Sequence, residues 1–314
     1  MRIKLPALIL QMLAVIAVCP IAASDCRAAP EPKGSRNQIT LQDYPVTIRF
    51  EKKNEKVARR VADLCSWCIP SLSAELGLDR IGTMTVLIVS DQEAFEKRRS
   101  VNLPDWGAAF AFMQDQLMVV DVEKALSTWN SLEQTIPHEI SHLLLYQRAG
   151  TVPMPLWFIE GLALWQAREW SLTDGWRLML SVWSGDLPRL SDIQSTFPAG
   201  GGRVKTAYRM SYAAFTSIFK EDRMSDDLPV FMDMMIRNSD FNRALVEYSG
   251  EDVFQFSARF AKEMEKKYTS HVLIFQTGPL FSIISVLFLF VLLSVRLRNR
   301  RKLKMMESHE RGYD

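Results

Sequence analysis

Histidine is scarce in this chain: among 314 residues only His138, His142, His271 and His309 carry an imidazole. Cysteine is equally rare, with four in all, which excludes a small disulfide-dense scaffold. A surplus of one charge is also missing. The net charge is +2, and a chain so nearly neutral lacks the basic footprint of a nucleic-acid binder, so no nucleic-acid partner is expected. There is no internal repeat and no low-complexity block, which removes repeat architectures and fibrous segments from consideration. What the chain does have is hydrophobic residue, 48% of the total, enough for a sizeable core even though part of it is concentrated at the two ends.

The N-terminal end starts Met1-Arg2-Ile3-Lys4, runs apolar from Leu5 to Val18 and then turns to small residues around Ala22-Ala23-Ser24. A charged start, an apolar stretch too short for a comfortable span and a small-residue cleavage region describe a signal peptide over 1–28. Residues 29–42 are polar with Pro and Gly and read as a linker. At the other end, Val272 to Val295 carries no charge over 24 residues, about 36 Å as a helix, which predicts one transmembrane helix over 272–295. Arg296, Arg298, Arg300, Arg301, Lys302 and Lys304 follow immediately and predict a basic cytoplasmic tail over 296–314 by the positive-inside rule. The expectation is a single-pass membrane protein with its main domain extracytoplasmic, in a periplasm or on a cell surface. In such a compartment the pair Cys65 and Cys68, spaced CxxC, is read as a local disulfide.

Between the ends the chain divides at about residue 135. Residues 43–135 form an N-terminal α/β subdomain. Pro45 to Phe50 alternates as a strand, Val57 to Leu76 has apolar residues at helical spacing, and Met84 to Val89 is a strand buried on both faces. Asp91 caps a short charged helix through Arg98. Gly107 to Phe112 and Gln116 to Asp121 make a hairpin around Met113-Gln114-Asp115. Residues 136–270 read as a helical subdomain, with helical pattern throughout after Glu160: Trp157 to Trp170, Leu178 to Trp183, Lys205 to Phe219, Leu228 to Ile236, Asn242 to Tyr248 and Asp252 to Tyr268, with a loop at Pro198 and Gly200-Gly201-Gly202. The helix over Leu132 to Tyr146 sits at the junction, where clefts commonly form. Pro137 suits its first turn.

That junction helix holds two of the four histidines. Pro137-His138-Glu139-Ile140-Ser141-His142 is HExxH, and a spacing of four puts both imidazoles on one helical face. Two such imidazoles suit a zinc ion, with Glu139 beside them as a general base for water. Glu160, eighteen residues past His142, offers a third ligand. A zinc site closed by four protein ligands finds no fourth His or Cys near these motifs, so a structural zinc domain is the weaker reading. The nearby tryptophans Trp157, Trp165, Trp170, Trp176 and Trp183 are read mainly as core, with contact at a membrane interface as the rival.

The two segments HEISHLLL and PLWFIEGLALW together resemble the gluzincin zinc metallopeptidases, in particular the MA-like peptidases whose second motif runs WFxEGLA. The resemblance covers roughly residues 83–267 and is specific at the two motifs. It implies an α+β, thermolysin-like fold: a small mixed sheet with an active-site helix, followed by a helical subdomain. It also implies His138, His142 and Glu160 as Zn2+ ligands and Glu139 as catalytic base. Phe110 and Ala111 would lie on an edge strand that pairs with an extended substrate. Tyr208 would be the donor to the developing oxyanion, with Tyr212 as the other candidate. Two departures stand out. Leu145 and Arg148 occupy the positions of the Gly and third His of metzincins. Leu164 stands where many gluzincins carry an Asp that supports a ligand histidine from behind.

The expected function is therefore a membrane-anchored extracytoplasmic zinc metallopeptidase acting on a peptide or protein substrate. The alternative is a catalytically weak or inactive zinc-binding relative that serves as a peptide- or partner-binding module at the membrane.

Overall fold

The computed structural model describes residues 37–90, 109–127, 132–198, 201–276 and 279–310. The expected signal peptide and the charged helix expected after Asp91 lie outside the described residues. The elements in chain order are β1 (Asn37–Thr40), β2 (Val46–Phe50), α1 (Glu55–Glu75), β3 (Met84–Val89), β4 (Ala109–Phe112), β5 (Leu117–Asp121) and α2 (Val122–Ser127). They continue with α3 (Leu132–Ala149), α4 (Leu156–Gln166), α5 (Leu172–Ser184), α6 (Gly201–Ile218), α7 (Met224–Asn238), α8 (Phe241–Ser249), α9 (Val253–Gln276) and α10 (Pro279–Glu310).

The strands form one mixed sheet in the order β1-β2-β3-β5-β4. β2, β3 and β5 are parallel neighbours, and β1 and β4 close the two ends antiparallel. β1 falls inside the stretch read as a linker. Val46, Ile48 and Phe50 point to the interior from β2, while β3 is buried along nearly its whole length, as a central strand with both faces covered must be. β4 and β5 are the expected hairpin, turned at Gln116, whose φ is +49°.

α1 places Val57, Val61, Leu64, Cys68 and Leu72 on one stripe against the sheet and α3. α3 begins at Leu132, ahead of Pro137, so the proline lies inside the helix and not in its first turn. A proline there removes one intrahelical hydrogen bond, close to the end where donors are unpaired in any case. The helical half is built around Trp157 and Phe158. Trp157 stacks on Phe256 at 5.5 Å, and Phe158 meets Phe215, Phe231 and Phe241. These contacts pin α4 from four other helices.

The expected class needs correction. The chain is mostly helical, 67%, with the five-stranded sheet as a minor part. Among the described residues no helix is long and apolar enough to cross a membrane, so the transmembrane helix expected over 272–295 is not found. Among the described residues, 272–276 of that apolar run belong to α9 and 279–295 to α10. The part of α10 before Arg296 has 17 residues, about 25 Å at 1.5 Å per residue, against a hydrocarbon core of about 30 Å.

Candidate metal centre

The site is assembled by the crossing of α3 and α4 under the sheet edge. α3 offers His138 and His142 from one face, their ring centroids 4.9 Å apart and nearly perpendicular. α4 brings Glu160 opposite them. Its Oε2 atom is 3.3 Å from His138 Nε2 and 3.8 Å from His142 Nε2, and one ligand atom from each residue lies within 4.8 Å of the others. Ligands about 2.0–2.2 Å from a tetrahedral zinc stand about 3.3–3.6 Å apart, close to the two distances from Glu160.

The sequence explains why α4 can come this close. Gly161 follows Glu160 directly, and a Cβ at Gly161 would meet the Ser211 carbonyl oxygen at 2.3 Å and Phe215 Cβ at 2.5 Å, both on α6. The backbones of α4 and α6 touch there, which only glycine permits.

The electrostatics favour a cation. Burial disfavours charge on His138, but Glu169 and Glu160 outweigh it and hold the imidazole pKa well above its ordinary value. His142 is pushed down by burial to about 4, so it is neutral with a lone pair to give. Burial pushes Glu160 up, yet the His142 and His138 rings bring it below its ordinary value. Its Oε2 is buried, near both rings, and makes no hydrogen bond of good geometry among the described residues. A buried carboxylate oxygen left in that state, facing two imidazole nitrogens, has the donor set of a zinc site. The residues fit the ion that the motifs imply.

Glu139 lies alongside. Burial raises its carboxyl to about 8; His138 opposes the rise, Glu160 and Glu169 add to it, and a hydrogen bond from the Ala111 backbone N–H works against it. That bond shows where β4 sits. β4 is the outer strand of the sheet beside β5, and Ala111 faces the HExxH helix. Phe110 does something different: its side chain is buried on the other face of the sheet with Leu87, Val89 and Val119.

Tyr208 and Tyr212 are separated clearly. Tyr208 is raised by burial and by the charges of Glu160, Glu139 and Glu169, all at the centre. Tyr212 stacks on Trp170 at 4.3 Å, and the charges acting on it are those of Arg168 and Glu221. Cys65 and Cys68 lie away from the centre as two buried free thiols on α1, and burial raises both.

One residue of the site has no counterpart in the sequence reading. Glu169 Oε1 is 2.9 Å from His138 Nδ1, the nitrogen turned away from Glu160. A carboxylate in that place fixes the tautomer and orientation of a ligand histidine. Leu164, where the resemblance implies an Asp, has no such group to offer. The chain gets Glu169 there by ending α4 at Gln166. Arg168 takes φ +56°, and the Glu169 N–H returns to the Leu164 carbonyl at 3.1 Å. A left-handed arginine costs about 1–2 kcal/mol. Its guanidinium is held in return by Glu75, at 2.6 Å, and by the Trp165 ring, at 4.8 Å.

No protein-family model matches the chain, and no curated protein matches it.

Proposed function

We propose that this protein is a zinc-dependent peptidase in which His138, His142 and Glu160 hold the ion and Glu139 is the general base. The observation that carries the reading is the convergence of the three ligand atoms within 4.8 Å with Glu139 next to them on the same helix. A zinc ion held there supplies a Lewis acid that polarises a carbonyl and makes water acidic enough to deprotonate near neutral pH.

The chain's own residues account for the rest of the chemistry. Glu139 takes a proton from water and returns it to the leaving amine. Glu169 keeps His138 in the tautomer that leaves Nε2 free to coordinate. Tyr208 donates a hydrogen bond from its phenol O–H to the oxyanion as charge develops; its raised pKa keeps that proton on the phenol at neutral pH. The backbone of β4 aligns an extended peptide at the sheet edge, with Ala111 nearest the base. This reading is favoured over an inactive binding module because the base, a tyrosine and a supporting carboxylate are all grouped at the centre, and an inert module has no use for them.

The test is metal analysis of the purified protein together with peptide-library cleavage by wild type and Glu139→Gln. One zinc per chain is expected in both proteins, with cleavage lower by roughly a hundredfold or more in the variant. Equal cleavage by both would remove Glu139 from the mechanism. Full zinc occupancy in Glu160→Ala would remove Glu160 from the ligand set.

A further inference from the structure

The tryptophans near the centre fall into two groups. Trp157 is buried, and Trp165 and Trp170 pack against the core. Trp176 and Trp183 do not. On α5, Leu172, Trp176, Leu180 and Trp183 are 95%, 51%, 43% and 39% exposed. Spacings of four, four and three residues place them in one arc of about 80° on the helix, beside the buried face made by Leu178 and Met179. That flank of a surface helix ordinarily carries polar side chains. A stripe of two indoles and two leucines turned outward marks a contact surface.

Its surroundings say what the contact is. Trp183 Nε1 donates to the Tyr268 carbonyl at 3.1 Å, so the stripe abuts α9 at the point where Lys267 lies 5.7 Å from the Tyr268 ring. From α9 the chain passes to α10. There the consecutive residues Val286, Leu287, Phe288, Leu289 and Phe290 are all exposed, more than one helical turn with no sheltered side. A protein groove, or a second copy of the chain, covers one side of a helix. Apolar surface on every side fits lipid. Arg296 and Arg298 follow directly and suit an anionic headgroup layer. Tryptophan is the side chain most enriched at that depth, with an apolar body and one polar N–H.

We propose that the Leu172–Trp176–Leu180–Trp183 stripe of α5 rests on a lipid bilayer surface. The arrangement requires no helix that crosses the bilayer, since the stripe is one face of α5 and a one-sided apolar face can lie in the bilayer surface. It is independent of the peptidase reading, because α5 contributes no ligand or base.

The test uses the full-length protein and vesicles of phosphatidylcholine and phosphatidylglycerol with brominated acyl chains. Wild-type tryptophan emission should shift to shorter wavelength and be partly quenched. In Leu172→Gln/Trp176→Gln/Leu180→Gln, which keeps Trp183 and its bond to Tyr268, the quenchable part should be lost. Co-sedimentation reports separately whether the rest of the chain still holds the vesicle. Should the triple variant lose its far-ultraviolet helix signal, Trp176→Phe replaces it, and the share of quenching due to Trp176 should vanish. Equal quenching in wild type and variant, or none in wild type, overturns the proposal. So does a wild-type dimer that dissociates in the variant without any quenching, which would assign the stripe to a second copy.

Discussion

Glu169 Oε1 accepts a hydrogen bond from His138 Nδ1 at 2.9 Å, and this contact orients the first histidine of the HExxH pair. The bond fixes which nitrogen of His138 carries the proton and leaves Nε2 directed at Glu160. Removing it frees the ring to turn and to change tautomer. Glu169→Ala should therefore weaken zinc binding by about 10–100-fold while leaving the fold intact, since Glu169 follows the end of α4. Competition against a chelator of known affinity measures this. Unchanged affinity would reduce the Glu169 contact to a surface ion pair.

The helix end also explains why Glu169 was not legible. A helix continued to Trp170, as the sequence reads, would put Glu169 nine residues from Glu160, about 180° round the axis and facing away. The real helix stops at Gln166, and Arg168 in the left-handed region turns Glu169 back toward α3. Arginine gives no sequence signal for that conformation, unlike the glycines that end other helices at Gly185 and Gly250. By contrast, His138, His142 and Glu160 were legible because each sits within a regular helix, where spacing determines direction. The apolar run over 272–295 misled because hydropathy sums the whole stretch, whereas α10 offers 17 of its residues before Arg296.

Gly161→Ala tests the close crossing of α4 and α6. The new Cβ would meet backbone at Ser211 O, 2.3 Å away, and the Phe215 side chain, 2.5 Å away, so the helices must separate. Overpacking of this kind costs about 1–3 kcal/mol, more where backbone is the obstacle. Separating the helices also moves Glu160 from the histidines. Lower stability in urea and lower zinc affinity should appear together. Gly202→Ala is the control: a Cβ there has nothing within 4 Å, and a neutral or slightly stabilising effect is expected.

Asp174 gives a pH dependence. It is the third residue of α5 and closes the capping box with Ser171, while its Oδ1 receives the Arg209 Nε–H at 3.0 Å from α6, next to Tyr208. Partial burial pushes its carboxyl up, but the Ser171 hydroxyl, Arg209 and the Ser171 N–H bring it below its ordinary value of 3.8. A carboxyl lowered by folding stabilises the native state above its unfolded pKa and loses that contribution as pH falls through the folded value. Asp174→Asn should therefore be less stable than wild type at neutral pH, and the gap should close below about pH 4. Urea denaturation of both proteins across that range measures it. A gap that persists in acid would rule out charge as the origin.

Gln166 supplies the last test, because it joins the two helices that carry the ligands. Its Oε1 accepts from Ser141 Oγ at 2.6 Å, and its Nε2 donates to the Leu72 carbonyl and to Glu75 Oε2, both at 3.1 Å. Ser141 lies between the histidines of α3, and both Ser141 and Gln166 are buried. Gln166→Leu keeps the volume but strands the Ser141 hydroxyl, at about 1–3 kcal/mol, while the Leu72 carbonyl keeps the Leu76 N–H at 3.3 Å. Ser141→Ala strands Gln166 Oε1 and should cost about 1–3 kcal/mol on the same ground. The double variant removes both ends of the Ser141–Gln166 bond at once, so its cost should fall short of the sum of the single costs. Denaturant midpoints for the four proteins decide it. Strict additivity would mean that the bond contributes nothing beyond its separate ends, and the register of His138 and His142 against Glu160 would then rest on packing between α3 and α4 alone.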